Sequence, residues 1–498
     1  MNTRFTVALV AIFGFVIRFL RLGAIENDHY VYLARAHQML HGDWPVRDFV
    51  DPGFTLGYLL SFAAAAVAGP SLLVEAVLSV AIFAVALGIV YALTRRASGS
   101  MAAALLAVAV LLLFPPRLYN SSKMLVPIVA IAIAWAYSDR PSRVRAAALG
   151  AWTAIAFLFR LDYGAFIATV TGAMLVAQHW GDWRTLIGHA ITAALVAIAI
   201  VGPWLVYVQV QQGLVEYVAS AMRFSVAERD RTVSHWAPIY YVMTAVPVVA
   251  LLIGFRGTPY VSRTQVLFAA LLVLVSDLVL LRDAPGSRLP DVYGTTAVVA
   301  AITIGACQPQ RERAARNWTR ALVTGAAVVL VAASWLLLSR APAGSVRPLS
   351  RWQQVVTRLR ETRPEIMPDP QRAPLIDYLR RCTPHDARLF VGGFGPELPV
   401  LADRAFAAGL PDWMRGYYTD PADVARARAQ LARERVGAAV MLDSGDAFTA
   451  SWPALAADLR ARGLVPEHLE LATQDVELWV MPSGRRDSAT GLPCTPAE

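Results

Sequence analysis

The residues best suited to chemistry crowd into a short polar stretch behind the first apolar segment. Asp28, His29 and Tyr30 stand there beside Glu26 and Asn27, and Arg47, Asp48 and Asp51 follow farther along the same stretch. A carboxylate within hydrogen-bond reach of a hydroxyl can act as general base, and the planar fork of arginine suits phosphate oxygens. Cations and acids recur at the ends of later apolar segments. Arg117 and Lys123 lie in PPRLYNSSK, Arg160, Asp162 and Tyr163 in FRLDYG, and Arg282 and Arg288 in LRDAPGSRLPDVYG. The set suits a substrate with a phosphate to be neutralised and a hydroxyl to be deprotonated. Displacement at a sugar anomeric carbon has both needs: the base activates an acceptor hydroxyl on one face while a lipid phosphate leaves from the other. Such a reaction requires no nucleotide.

Each residue also has a plainer reading. Asp28 can cap a helix over 29–40 through its side-chain oxygen. Asp48 can orient Arg47, bind an acceptor, help bind a divalent ion, or simply close a turn. His29 suits packing or hydrogen bonding better than proton transfer. Arg160 and Asp162 interrupt a hydrophobic hairpin, where ionisable groups are costly and suspect; a ligand contact and a buried ion pair both explain them. Arg117, Lys123, Arg282 and Arg288 compete for the leaving phosphate, and each alone can also be a snorkelling interface residue. A divalent cation held by Asp28, Asp48 and Asp51 is an open alternative. No metal site and no cofactor is expected.

The elements that must position these residues are membrane helices. The chain has 498 residues, 56% of them hydrophobic and only 16% charged, against about 25% charged in soluble domains. Mean hydropathy is +0.48, and long apolar segments recur one after another, the mark of a polytopic α-helical membrane protein. The net charge of +9 does not point to nucleic acid, because the arginines sit in short loops between apolar segments. Candidate spans are 3–20, 71–93, 100–115, 122–137, 146–159, 164–180, 186–208, 237–254, 264–281, 292–307 and 320–339. The first is read as a retained span, since its charged start and apolar run lack a clean cleavage site.

Segment 53–68 is ambiguous, and charge decides its fate. If it lies along the interface, the inner loops hold twelve arginines against three acids, Asp139, Asp182 and Glu312. That obeys the positive-inside rule; letting 53–68 cross inverts every later loop. The expected architecture is therefore eleven transmembrane helices plus one interfacial helix over residues 1–340, with a first outer loop at 22–70. Arg18 and Arg21 break the rule locally.

The same topology places 341–485 outside the cytoplasm as a small α/β domain. RLFVGG (388–393), GAAVMLD (437–443) and VELWVMP (476–482) read as strands, and 420–435 and 452–463 as amphipathic helices. The tail 486–498 is expected to be disordered. The domain reads as a cap that shapes the cleft below it, or as an acceptor-binding element. GGFG at 392–395 is too short a pattern for a nucleotide loop. Cys307, Cys382 and Cys494 are far apart, which argues against both a zinc site and a structural disulfide.

The stretch Asn27-Asp28-His29-Tyr30 through Gly42-Asp43-Trp44-Pro45-Val46-Arg47-Asp48-Phe49-Val50-Asp51-Pro52-Gly53 resembles the first outer loop of the polytopic C-type-fold glycosyltransferases. That family includes protein mannosyltransferases, lipid A aminoarabinose transferases and bacterial relatives that use polyprenyl-phosphate sugars. Its pattern has an acid or acid pair, a tyrosine, alanines at helical spacing, L-x-x-G, then Y/P-x-x-D-F and a proline-led interfacial helix. Here Asn27-Asp28-His29 replaces the acid pair, and Asp51-Pro52-Gly53 replaces the usual proline pair. The resemblance implies that Asp28 is the catalytic carboxylate and 53–68 the juxtamembrane helix. It further implies inverting transfer from a polyprenyl-phosphate carrier to a hydroxyl of a cell-envelope glycan, lipid or protein. The setting implied is the outer face of a bacterial cytoplasmic membrane, with membrane lipids as the remaining partners and no nucleic acid. A transporter, flippase or polymerase of lipid-linked sugars is the rival reading. Transporters place charges or broken helices near mid-membrane, often in paired repeats, whereas the charges here gather at one face.

Overall fold

A computed structural model of the chain describes residues 3–22, 25, 27–231, 238–254, 259–280, 285–307, 348–361, 370–471 and 475–496. The expected last span at 320–339 and Arg282 lie outside the described residues. The chain forms two compact units.

The first unit, Met1–Leu22, Val77–Val206 and Thr232–Trp352, is helical. Its elements are α1 (Thr3–Leu20), most of α4 (Leu72–Ser98), α5 (Met101–Leu113), α6 (Ser121–Asp139), α7 (Arg143–Phe159), α8 (Leu161–Gln178), most of α9 (Trp183–Gln211), α11 (Pro238–Gly254), α12 (Arg263–Leu280) and α13 (Pro285–Cys307). Among the described residues, five helical stretches are long and apolar enough to cross a membrane: Leu72–Ser98, Leu118–Asp139, Leu161–Gln178, Trp183–Gln211 and Arg288–Ala306. The protein is thus polytopic and mostly helical. Backbone groups in hydrocarbon must pair internally, which is why such runs of Ala, Leu, Val and Ile are helices.

Helix starts are marked by Ser100 and Ser142, whose hydroxyls accept from the amides of Ala103 and Arg145. Phe83, Leu87, Tyr91, Ile128, Trp135, Val273 and Val299 form the buried centre. Leu195, Ile198 and Val206 of α9 are exposed apolar side chains, as a lipid-facing helix requires. Small residues permit close approach: a Cβ at Gly150 would sit 1.9 Å from the Ala193 carbonyl oxygen, and one at Gly164 would sit 2.5 Å from Phe157. Arg18 and Arg21, the exceptions to the charge rule, donate to the carbonyls of Pro116 (2.8 Å) and Leu112 (2.9 Å).

The second unit joins Gly23–Ala76, Tyr207–Arg231 and Gln353–Glu498. It contains α2 (Asn27–Leu40), α3 (Thr55–Ala68), α10 (Leu214–Arg231) and a four-stranded sheet. The first outer loop therefore packs with the C-terminal domain, where the sequence grouped it with the membrane helices. Helix α3 has 14 residues and spans about 21 Å, short of the ~30 Å hydrocarbon core.

The sheet has the order β1 (Arg388–Gly392), β2 (Val436–Met441), β4 (Asp475–Val480), β3 (Val465–Glu470). β1 and β2 run parallel, and β4 is antiparallel to both β2 and β3. β2 is buried along its whole length, as a central strand. β3, VPEHLE, is an additional strand that the sequence pattern hides: mostly exposed, it has no apolar alternation to mark it. Trp413, Trp452, Trp479, Phe390 and Phe448 fill the core beneath the sheet.

Two expectations for the tail are corrected. Cys382 and Cys494 form a disulfide across 112 residues, with Cα atoms 4.4 Å apart. Residues 486–496, expected to be disordered, are ordered: Tyr378 donates to the Pro493 carbonyl, Thr495 to the Gly437 carbonyl, and Arg381 pairs with buried Asp487. Their polar, Gly- and Pro-rich composition resembles disorder, but the crosslink and these bonds remove the freedom that composition alone would grant.

Candidate active site

The second unit holds the candidates from the first outer loop. Asp28 lies in the first turn of α2, and its side chain lies outside the described ones. The next two residues are buried. His29 places Nε2 3.4 Å from Oε1 of Glu75, with both side chains almost wholly enclosed. Glu75 occupies the first turn of α4, where the positive end of the helix dipole favours a carboxylate. Tyr30 is fully buried, and its hydroxyl has no hydrogen-bond partner among the described residues. Burial, and then the charge of Glu397, hold that phenol well above its ordinary value.

Two turns further along α2, Arg35 is also buried, bonded to the carbonyls of Val31 (3.0 Å) and Val50 (3.4 Å) and set over the Tyr58 ring. Burial opposes its charge, but Tyr58, Tyr418, Asp412 and Asp51 outweigh it and keep the guanidinium above its usual range. Sequence reasoning missed Arg35 and Glu75. Both sit inside helical patterns where one charge reads as a solvated face.

Asp51 is buried and saturated. Its Oδ1 accepts from the amides of Gly53 and Phe54, each at 2.8 Å, and its Oδ2 from the hydroxyls of Thr55 and Tyr217. Three of these donors fix the start of α3, and Tyr217 ties the carboxylate to α10. Asp48 accepts from the Trp44 amide at 2.8 Å and from Arg47 Nε at 2.7 Å, while Arg47 also reaches the Gly42 carbonyl. That bond to Asp48 holds the Arg47 guanidinium above its ordinary value. The pair braces the turn between α2 and α3 and leaves Arg47 half in solvent.

The first unit holds the other candidates. Arg160 ends α7 and begins α8, and it grips Asp162 with both Nε (2.9 Å) and Nη2 (2.5 Å) while stacking over the Tyr163 ring at 4.9 Å. The ion pair is therefore local to the turn. Arg117 is exposed and donates to the Tyr119 hydroxyl. Lys123 is buried on α6, 3.8 Å from Asp291, which also accepts from Asn120 at 2.9 Å. Arg288, on α13, is among the groups whose charge acts on Asp291. Lys123, Asn120 and Asp291 thus converge, and the charges of Arg288 and of Arg160, which holds Asp162 and Tyr163 at the α7–α8 turn, both act on Asp291.

A set of apolar helices, two short helices after the first span and a small mixed-sheet domain are the parts this chain offers for comparison with solved folds. The chain superposes on ArnT from Cupriavidus metallidurans bound to undecaprenyl phosphate with a TM-score of 0.57, covering 95% of this chain and 97% of that one at 15% identity. The apo state of the same enzyme gives a TM-score of 0.54 at equal coverage and identity. No protein-family model matches the sequence, and no curated protein does. At such identity the likeness is one of fold.

Proposed function

We propose that this protein is an inverting membrane glycosyltransferase. It would move a sugar from a polyprenyl-phosphate carrier to a hydroxyl of an envelope glycan, lipid or protein. The observation that carries the proposal is the end-to-end likeness to ArnT bound to undecaprenyl phosphate, over 95% of one chain and 97% of the other. In the proposed reaction Asp28 accepts the proton of the acceptor hydroxyl as its oxygen attacks the anomeric carbon. The bond from that carbon to the carrier phosphate breaks, and the phosphate keeps the electron pair. Arg117, Lys123, Arg282 and Arg288 are the candidates for neutralising the phosphate, since a charge that grows in the transition state is best met by fixed cations. His29, Tyr30, Arg47, Asp48, Asp51, Arg160, Asp162 and Tyr163 are candidate substrate contacts. The unpartnered hydroxyl of buried Tyr30, two residues from Asp28, supports a polar ligand at that end of α2.

Reaction at the outer face is supported by two independent features. The arginine-rich loops fit the cytoplasmic side, and the Cys382–Cys494 disulfide fits an oxidising compartment for the C-terminal domain.

The test is Asp28→Asn in the full-length chain. Sugar transfer should vanish, with loss on the order of the 10²–10⁴-fold that a general base contributes, while the protein stays folded in the membrane and the lipid-phosphosugar donor accumulates. Retained transfer by that variant would remove Asp28 from the mechanism. Loss of lipid-linked sugar from the outer leaflet, with transfer restored by donor supplied at that face, would favour a flippase instead.

A further inference from the structure

Three histidines and one aspartate of the second unit converge away from the residues assigned to sugar transfer. His37 lies in the last turn of α2 and His41 just follows that helix, its amide still bonded to the His37 carbonyl at 3.3 Å, so the two rings lie on one side of the chain. His37 Nε2 lies 3.1 Å from Oδ1 of Asp403, and His385 Nε2 lies 3.6 Å from Oδ2 of the same carboxylate. The His41 ring stands between the other two, 4.7 Å from that of His37 and 5.8 Å from that of His385. One donor atom each from His37, His41 and Asp403 lies within 4.8 Å of the others.

From this geometry we infer a binding site for a zinc-class divalent cation, with His37, His41 and Asp403 as ligands and with His385, which faces the other oxygen of that carboxylate, as a fourth that a rotation of its exposed side chain brings in. Tetrahedral zinc with bonds of ~2.0–2.1 Å needs donor atoms about 3.3 Å apart, and His37 Nε2 stands 3.1 Å from Oδ1 of Asp403. Three imidazoles with one carboxylate suit zinc and its transition-metal neighbours. Magnesium and calcium, which demand oxygen, are poorly served. A pair of histidines at i and i+4 is the usual helical way to present two ligands to one ion. The aspartate is held ready: it follows the helix Glu397–Ala402 in a left-handed conformation, its amide bonded to Val400 and its carbonyl to Arg404. A simple tether between α2 and the α/β domain needs only His37 and Asp403; two further imidazoles around one carboxylate are surplus to it. With four protein ligands the site is closed, so its role is structural. It pins α2, the helix whose first turn carries Asp28, to the segments that flank β1.

The experiment uses full-length, tag-free protein in detergent, stripped with chelator, then titrated separately with cobalt(II), zinc(II) and magnesium(II). Wild type should take up one cobalt per chain with the intense visible bands of tetrahedral coordination. Zinc should displace it, magnesium should not, and zinc should raise the thermal midpoint. His41→Gln and His385→Gln leave the His37–Asp403 contact in place, and His385 is 70% exposed, so folding should survive. Each should weaken binding by more than the roughly 10–100-fold that outer partners of a metal site are worth. Absence of stoichiometric cobalt binding by wild type would overturn the inference. So would unchanged affinity in both variants, or octahedral spectra with equal competition by magnesium.

Discussion

Arg388, at the head of β1, holds Asp43 of the first outer loop, with Nη2 3.1 Å from Oδ1 and Nη1 on Oδ2, across 345 residues of chain. Gln38 supports the same carboxylate and also bonds the Phe406 carbonyl at 3.1 Å, while the Phe406 amide returns to Gln38 at 2.8 Å. Charge-assisted bidentate pairing is the strong form of this contact. It makes the loop behind α2 part of the C-terminal domain's own packing.

Arg388→Ala should therefore loosen the loop as well as the strand. The pair is only partly enclosed, so the expected loss is about 2–3 kcal/mol, below the ~3–5 kcal/mol of a fully buried pair. Limited proteolysis should show faster cleavage near Asp43. An unchanged cleavage rate and thermal midpoint would deny the contact any weight.

Asp51 should behave as an anchor of α3. Asp51→Ala removes an acceptor of four hydrogen bonds, and a bond to a charged group is worth about 1.5–3 kcal/mol. A drop in thermal midpoint should accompany any loss of transfer, and Asp51→Asn should recover part of both. Full stability with abolished turnover would instead assign Asp51 to the substrate.

The crosslink closes a loop of 112 residues, and losing such a disulfide costs about 2–5 kcal/mol. Cys494→Ser should lower the denaturation midpoint of the C-terminal domain by that measure. Mass analysis of non-reduced peptides should recover Cys382 linked to Cys494. Alkylation of Cys382 and Cys494 in protein taken directly from cells would count against it.

Acid should weaken the tail first. Arg381 holds the Asp487 carboxyl down to about 2, with the Thr490 hydroxyl and amide assisting. Because the folded value lies below the unfolded one, this contribution is complete above roughly pH 4 and fades as pH falls toward 2. Hydrogen exchange across 486–496 should rise over that window. Arg381→Gln should flatten the dependence.

Part of the site was legible beforehand because its signals are local. The existence of α2 and α3 follows from helical spacing, although α2 starts at Asn27 and so holds Asp28 inside its first turn, where the sequence offered it as the cap of a helix over 29–40. Asp48 and Asp51 are acids that turn geometry recruits nearby. Glu75 was not legible, since nothing in LLVEAVL says its carboxylate turns toward His29. Arg35 escaped for the same reason: its burial depends on Tyr58 and on Tyr418, far along the chain. His37 and His41 drew no attention in the sequence, because a histidine pair at helical spacing carries no signal without Asp403, 366 residues on from His37.

Hydropathy and the placement of arginine determined by themselves that this is a membrane chain of many helices with a polar outer loop, because transfer from water to hydrocarbon acts residue by residue. Tertiary structure alone decided that Cys382 meets Cys494, that Asp43 meets Arg388, and that His37, His41 and His385 surround Asp403. The cysteines are 112 residues apart, Asp43 and Arg388 345, and His37 and Asp403 366, and only the folding of the second unit chooses among the many pairings that composition permits.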